Sequence, residues 1–369
     1  MNDDELDPEV LAALRDVAPA SDAVRDQHIA AALAEPLTLR PLAESQPAPW
    51  LANQPRVSNL QSPIRTTLDL PLQRDLETIV REETARLREA NLRHAAVVVI
   101  HNPTGEVLAL VSSADWADPR GGQLNGALVP RSPGSTLKPF TYLLALERNH
   151  RIPASILADI PSPFRTPQGL DLPENYDRNY RGPVTLRAAL ACSLNVPALR
   201  ELNSLGGPQP LQQLLENLGI TTLGSDSSIH GLGLTLGNAP VRLLELSNAY
   251  ATLARLGLYR PALLFPSKFD VGRSAFDGRS AYLIADILAD AAARSPSFPP
   301  GGPLDLPFKC AVKTGTSSDF HDNWCIGFTQ RFTVGVWVGN NDNKPMRKGG
   351  ASLAGPIWNK FITEALSTL

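Results

Sequence analysis

Arg131-Ser-Pro-Gly-Ser-Thr-Leu-Lys-Pro-Phe140 is the stretch on which both fold and chemistry turn. A Pro-Gly break is followed at once by Ser135, and Lys138 comes three residues later. Leu137, Phe140, Leu143 and Leu144 mark one apolar helix face, so a helix is predicted with Ser135 in its first turn. Side chains three apart on a helix share a face and lean toward its N-terminus. That predicts the Lys138 amine held against the Ser135 hydroxyl. A serine beside a neutral amine is an activated nucleophile, and burial or a second cation keeps a lysine neutral. Pro139 has no N–H for the Ser135 carbonyl and its ring crowds that position, so a distorted first turn is predicted. In isolation the same residues also fit an N-cap serine followed by a solvated lysine.

Working outward, 369 residues suffice for one large domain or two smaller ones. With 43% apolar and 19% charged residues the chain has the composition of a globular protein with a core. The net charge of -3 and the lack of a polybasic tract exclude a field for nucleic acid. Cys192, Cys310 and Cys325 show no metal-ligand spacing. They read as buried thiols, with a Cys310–Cys325 bridge open if their strands are neighbours. No apolar run reaches the ~20 residues a membrane helix needs. The start, Met1-Asn-Asp-Asp-Glu-Leu6, is acidic where a signal peptide is basic. The polypeptide is therefore expected to be soluble and to carry no export address.

Residues 24–33 read as a helix, and residues 36–63 as a proline-punctuated connector. Asp69 is an N-cap with Pro71 in the first turn. Leu72, Leu76, Ile79, Val80 and Leu87 then predict an amphipathic helix of about two dozen residues. Ala95–Ile100 and Glu106–Val111 are apolar runs around the turn His101-Asn-Pro-Thr-Gly105, a hairpin predicted at the centre of a sheet. His101 reads as a turn residue. The Pro-, Asn- and Tyr-rich passage 153–183 is long for a loop and is expected to form a functional surface. Residues 184–292 read as mainly helical, over 184–191, 196–205, 211–218, 243–256 and 280–292. Strands return at 308–314, 324–330 and 332–339, and a helix closes the chain over 356–366. Strands near both ends of the chain imply one mixed sheet, an inserted helical lobe and a cleft between them.

Two further motifs flank that helical region. Ser193-Leu-Asn195 lies in the break between two predicted helices, and by itself Ser193 reads as a helix N-cap. Lys313-Thr-Gly-Thr316 ends a strand, and by itself reads as an edge-strand lysine and a turn. Together, Ser-x-x-Lys on a helix, Ser-x-Asn in a helical loop and Lys-Thr-Gly on a strand form the ordered pattern of penicillin-binding proteins and β-lactamases. Here Ser-Leu-Asn stands where the lactamase form has Ser-Asp-Asn.

The resemblance extends beyond the motifs. Thr66–Gln73, Pro133–Phe140, Ser193–Pro197, Leu236-Gly-Asn238, Asn248–Ala251 and Lys313–Ser317 resemble class A penicillin-binding proteins. The runs Asp322–Phe328 and Val334–Gly339 resemble the 1C type of that class. The match covers roughly residues 60–366. It implies an α+β, β-lactamase/transpeptidase-like fold: a central, mainly antiparallel sheet with flanking helices and an inserted helical lobe. Residues 61–369 would be the transpeptidase domain. Residues 1–60 resemble the end of a preceding glycosyltransferase domain, whose body and membrane anchor are expected in a longer parent on the extracytoplasmic side of the bacterial inner membrane.

The resemblance also implies an activity. Ser135 attacks a D-Ala-D-Ala stem peptide of peptidoglycan and transfers the acyl group to an amine, and β-lactams act as covalent inhibitors. By motif, Lys138 takes the Ser135 proton, Ser193 relays a proton to the leaving nitrogen, and Asn195 holds Lys138 and the substrate amide. Lys313 supplies charge for the substrate carboxylate, and Thr314, Gly315 and Thr316 line its site. The backbone amides of Ser135 and Thr316 form the oxyanion hole, the first being free because initial helix amides lack intrahelical partners. No metal or organic cofactor is required. Rival readings are a β-lactamase, for which Glu174 in Pro173-Glu-Asn175 is the candidate deacylation base; a D,D-carboxypeptidase; and a non-catalytic scaffold.

Overall fold

The strand His94–His101 (β1) is apolar on both sides for a structural reason: it is buried between two layers. Ala96, Val98 and Ile100 join one hydrophobic cluster, and Ala95, Val97 and Val99 the other. Alternate residues of a strand face opposite sides of its sheet, so a strand covered on both faces reads as a continuous apolar run. Burying each valine stabilises by ~1.5–3 kcal/mol.

The computed structural model describes residues 48–52, 65–166, 169–267 and 272–365. The helix expected over 24–33 and most of the proline-rich connector lie outside them. The sheet contains β1, Val107–Val111 (β2), Ala311–Thr316 (β3), Asp322–Phe328 (β4) and Phe332–Gly339 (β5), in the order β2-β1-β5-β4-β3. Every ladder in it is antiparallel, which corrects the mixed sheet expected from the pattern. Parallel character among the described residues is confined to an isolated bridge, Glu106 to Leu263. The β1–β2 hairpin ends the sheet rather than centring it. Its apolar β2 is covered at that edge by helix α1 (Leu70–Arg86), where Gln73 accepts from Leu110 N (2.8 Å) and donates to Leu110 O (2.9 Å). His101, expected in the turn, is instead the last residue of β1, paired with Phe332, and its Nδ1 is hydrogen-bonded to Thr104 Oγ1.

Helix α1 spans Leu70–Arg86, 17 residues, capped by Asp69 accepting from Leu72 N at 3.0 Å. It is shorter than predicted because a 3₁₀ turn, Arg88–Ala90, and a left-handed Asn91 end it. With α8 (Ala354–Lys360) and the π turn Phe361–Ala365 it covers one face of the sheet. The other face carries the inserted lobe: α2 (Lys138–Arg148), α3 (Leu186–Ala191), α4 (Asn195–Ser204), α5 (Gln209–Asn217), α6 (Leu243–Ala254) and α7 (Gly278–Leu288). Within passage 153–183 lie two short antiparallel ladders, Phe164–Thr166 with Gly169–Asp171, and Ile156–Asp159 with Gly182–Thr185. Val184, read as helical, belongs to the latter.

Candidate active site

Ser135 sits in a 3₁₀ turn, Gly134–Leu137, that leads into α2. The sequence dictates the tight turn. Pro139 has no N–H, so the Ser135 carbonyl is met one residue earlier, by Lys138 N–H. The turn is pinned from three sides. Tyr250 on α6 donates its hydroxyl to Thr136 O (2.7 Å), Trp324 on β4 donates Nε1 to Ser132 O (2.7 Å), and Ser132 donates Oγ to Gly237 O (2.7 Å).

Ser193 is not an N-cap. It follows the end of α3 with φ +60°. Its N–H donates to Leu190 O (3.0 Å), and the next N–H, of Leu194, donates to Ala189 O (2.9 Å). These are the paired bonds of a Schellman motif, with Ser193 at the left-handed position that glycine usually takes. A serine there costs of order 1 kcal/mol or more and marks a place where the side chain is wanted. Asn195 is the first residue of α4, whose N-cap Leu194 offers no side-chain bond.

The two lysines meet at Ser193. Lys313 Nζ donates to Ser193 Oγ at 2.8 Å and to Thr314 O at 2.7 Å. Lys138 Nζ donates to Ser193 O at 2.5 Å and to Asn195 Oδ1 at 2.7 Å, and it lies 3.4 Å from Ser193 Oγ. The expected arrangement is thereby corrected. The hydroxyl flanked by both amines belongs to Ser193, and the hydrogen bonds of Lys138 run to Ser193 and Asn195 rather than to Ser135. Three oxygens, two from Ser193 in the connection between α3 and α4 and one from Asn195 at the start of α4, outcompete a hydroxyl on the turn that leads into α2. Lys138 is fully buried and Lys313 is 4% exposed. Burial first, and the neighbouring Lys313 charge second, hold the Lys138 amine well below its ordinary range. Burial also pulls Lys313 down to about 7.

Strand β3 forms the facing wall at the free edge of the sheet. Ser317 N–H bonds to Asp322 O (2.9 Å), so Thr316, one residue earlier, turns its N–H and C=O away from β4 toward that edge. There it abuts the Ser135 turn. A methyl placed on Gly134, itself at φ +56°, would stand 2.5 Å from Thr316 O and 2.6 Å from Thr316 N. A methyl on Gly315 would overlap Pro133 O, so the glycine of Lys-Thr-Gly is what lets wall and turn touch. The Ser135 and Thr316 amides therefore lie on adjoining segments, as an oxyanion hole requires. Thr316 Oγ1 accepts from Asn323 Nδ2 (3.0 Å) and Gly350 N (3.1 Å), leaving its own proton to donate outward.

Ser135, Ser193, Asn195, Thr314, Gly315 and Thr316 all line one cleft of about 870 Å³. Lys138 and Lys313 lie behind that lining. The passage 153–183 reaches the cleft through Asn175, Tyr176, Asp177 and Arg181. Glu174, the candidate deacylation base, is exposed and 3.8 Å from Arg178; only its backbone carbonyl meets the site, accepting from Asn195 Nδ2 at 2.8 Å. Cys192, Cys310 and Cys325 are buried free thiols, Cys310 pushed up to about 12 by its burial. Neither Tyr250, within the run Asn248–Ala251, nor Asn175, within Pro173-Glu-Asn175, stands out as a site residue in the sequence, since nothing local separates a tyrosine in an apolar helix or an asparagine in a turn-rich loop from its neighbours.

A family model described as the penicillin binding protein transpeptidase domain matches residues 95–363. Penicillin-binding protein 1C of Escherichia coli (strain K12) is 34% identical over 337 residues, covering 90% of this chain and 42% of that protein. Penicillin-binding protein 1B of Vibrio cholerae is 28% identical over 316 residues, covering 80% of this chain and 39% of that protein. The chain thus spans less than half the length of these relatives. Among solved structures, the penicillin-binding protein PonA1 from Mycobacterium tuberculosis superimposes with a TM-score of 0.67 at 25% identity, covering 82% of this chain and 84% of that one. The same protein in complex with penicillin V matches with a TM-score of 0.67.

Proposed function

Given that the chain belongs to the penicillin-binding protein transpeptidase family, we propose that it is a serine D,D-transpeptidase acting on D-Ala-D-Ala stem peptides of peptidoglycan. The observation that carries this reading is the convergence of two buried amines on Ser193 Oγ in the cleft that Ser135 lines.

The steps follow from the donors and acceptors present. A neutral lysine has two N–H groups and one lone pair. Lys138 directs its N–H groups at Ser193 O and Asn195 Oδ1, which leaves the lone pair for the Ser135 proton. Ser135 Oγ then bonds the penultimate D-Ala carbonyl carbon, and the oxyanion lies against the amides of Ser135 and Thr316. One such donor contributes about 2.7–4 kcal/mol. The proton on Lys138 passes through Ser193 Oγ to the departing nitrogen as the C–N bond breaks and D-Ala leaves. An amine on a second stem peptide attacks the ester, giving up a proton by the same route, and Ser135 regains its own. Thr314 and Thr316 donate hydroxyls to the terminal carboxylate. Lys313 lies behind them and reinforces that site through charge. With its amine poised at about 7, an arriving carboxylate favours the protonated form and draws a proton onto it.

β-Lactams would acylate the same serine. The extracytoplasmic surface of the inner membrane, where stem peptides are found, is the proposed location, with a glycosyltransferase domain and anchor contributed by a longer parent. Among the described residues no helix is long and apolar enough to cross a membrane. The test uses a D-Ala-D-Ala-terminated peptide with a D-amino acid acceptor. Transpeptidation gives a new amide with one D-Ala released; hydrolysed peptide alone would assign a carboxypeptidase. With Glu174 out of the cleft, a chromogenic cephalosporin should give a stoichiometric burst, and sustained turnover would assign a β-lactamase.

A further inference from the structure

Asn195 has a conspicuous second attachment. Its side-chain amide is oriented by a donor–acceptor match that works one way round: Nδ2 to Glu174 O at 2.8 Å, Oδ1 to Lys138 Nζ at 2.7 Å. Its backbone N–H, at the first position of α4 where no intrahelical acceptor exists, donates to Asn175 Oδ1 at 2.8 Å. Asn175, 4% exposed, is itself fixed by its own Nδ2, which donates to both carboxylate oxygens of Asp159 (2.9 Å each) and to Asn179 O (2.8 Å). Asp159 is fully buried and also accepts from Arg181 N at 2.9 Å. A buried carboxylate is retained only where donors surround it. Here every donor comes from the loop 175–181, so Asp159 anchors the loop, and the loop anchors Asn195 from both sides.

We propose that Asn175 is a positioning residue for the acylation step: held on Asp159, it fixes Asn195 so that the Asn195 oxygen faces Lys138. The consequence is chemical. Were the Asn195 amide to turn over, its NH₂ would face Lys138, an N–H group of Lys138 would lose its acceptor, and the amine's lone pair would be drawn to the amide instead of to a serine proton. Glu174 O opposes that rotation directly, and Asn175 Oδ1, by holding the Asn195 main-chain N–H, keeps the residue where its amide meets both Glu174 O and Lys138. Thus the passage 153–183 serves the reaction through two hydrogen bonds to Asn195, and not only as cleft surface. The proposal rests on Ser135 being the acylated residue.

The test is a double-mutant cycle on penicillin acylation, with the limiting rate k2 and the half-saturating concentration K separated by time courses. Acylated wild-type protein is the control for the underlying function; failure there would sink that reading, whatever Asn175 does. Asn175→Ala is expected to lower k2 by up to about 10²-fold, the cost of misplacing a reacting group by an ångström. K should change little, since Thr314 and Thr316 are untouched. In an Asn195→Ala background the same substitution should have almost no further effect on k2, because its route is already cut. Should Asn175→Ala fail to fold, Asp159→Asn, which keeps the volume and the acceptor for Arg181 N, is read in the same cycle with the same expectation. Wild-type k2 in the single variant, or losses that multiply in the double variant, would overturn the proposal.

Discussion

The substitution Lys313→Met separates the electrostatic cost of the site from its packing. Lys313 is 4% exposed, and its amine is pulled from an ordinary 10.5 to about 7. The folded-state pKa is depressed, so between 7 and 10.5 the unfolded chain binds the extra proton and stability rises with pH. The contribution is fully present above the unfolded value and is lost as pH falls through the folded one. Each displaced pH unit is worth about 1.4 kcal/mol, or roughly 5 kcal/mol across the window. At pH 7 the penalty of burying Lys313 is about 4 kcal/mol, and at pH 9 about 2 kcal/mol. The uncharged methionine carries no such penalty. The variant's loss of the bonds to Ser193 Oγ and Thr314 O costs ~1–3 kcal/mol, independent of pH. In the variant Lys138 loses the smaller part of its own depression, the part owed to the Lys313 charge, and keeps the larger part owed to burial. Urea unfolding of both proteins at pH 7 and pH 9 should therefore show the stability difference, variant minus wild type, shrinking by about 2 kcal/mol. A difference that stays constant with pH would refute the buried, half-neutral Lys313.

Three further outcomes follow from the same geometry. Acylation measured as kcat/KM against pH should fall as pH rises through about 7, where Lys313 loses its charge; a profile flat from pH 6 to 9 would contradict it. Ser193→Gly relieves the left-handed backbone at φ +60° but removes the relay hydroxyl and the acceptor of Lys313 Nζ, so the two effects on stability offset and melting temperature should change little while acylation drops by about 10²-fold or more. Gly315→Ala sets a methyl against Pro133 O; penicillin acylation and thermal stability should both fall, and wild-type behaviour in either would show that β3 and the Ser135 turn are not in contact.

Much of this site is legible in the chain because its chemistry is tied to short motifs on regular elements. Ser135, Lys138, Ser193, Asn195 and Lys313 come together as the motif order implies, and Pro139 announces the tight turn that the structure contains. What local reading misjudges is how the elements meet. Spacing on one helix points Lys138 at Ser135, but the amine goes to the stronger set of acceptors brought in by Ser193 and Asn195. Ser193 resembles an N-cap because sequence shows a serine before a helix, not the helix it terminates. The hairpin is apolar enough to look central because α1 covers an edge, and nothing in β2 reveals a covering helix. Asn175 lies 20 residues before Asn195, and only the fold of the intervening ladder joins them.

The central claim, that Ser135 is the nucleophile of this cleft, is tested most directly by intact-mass analysis after exposure to penicillin, followed by peptide mapping. One adduct per chain is predicted, confined to the peptide bearing Ser135 and absent from Ser135→Ala. An adduct that survives Ser135→Ala, or that maps to another residue, would contradict it.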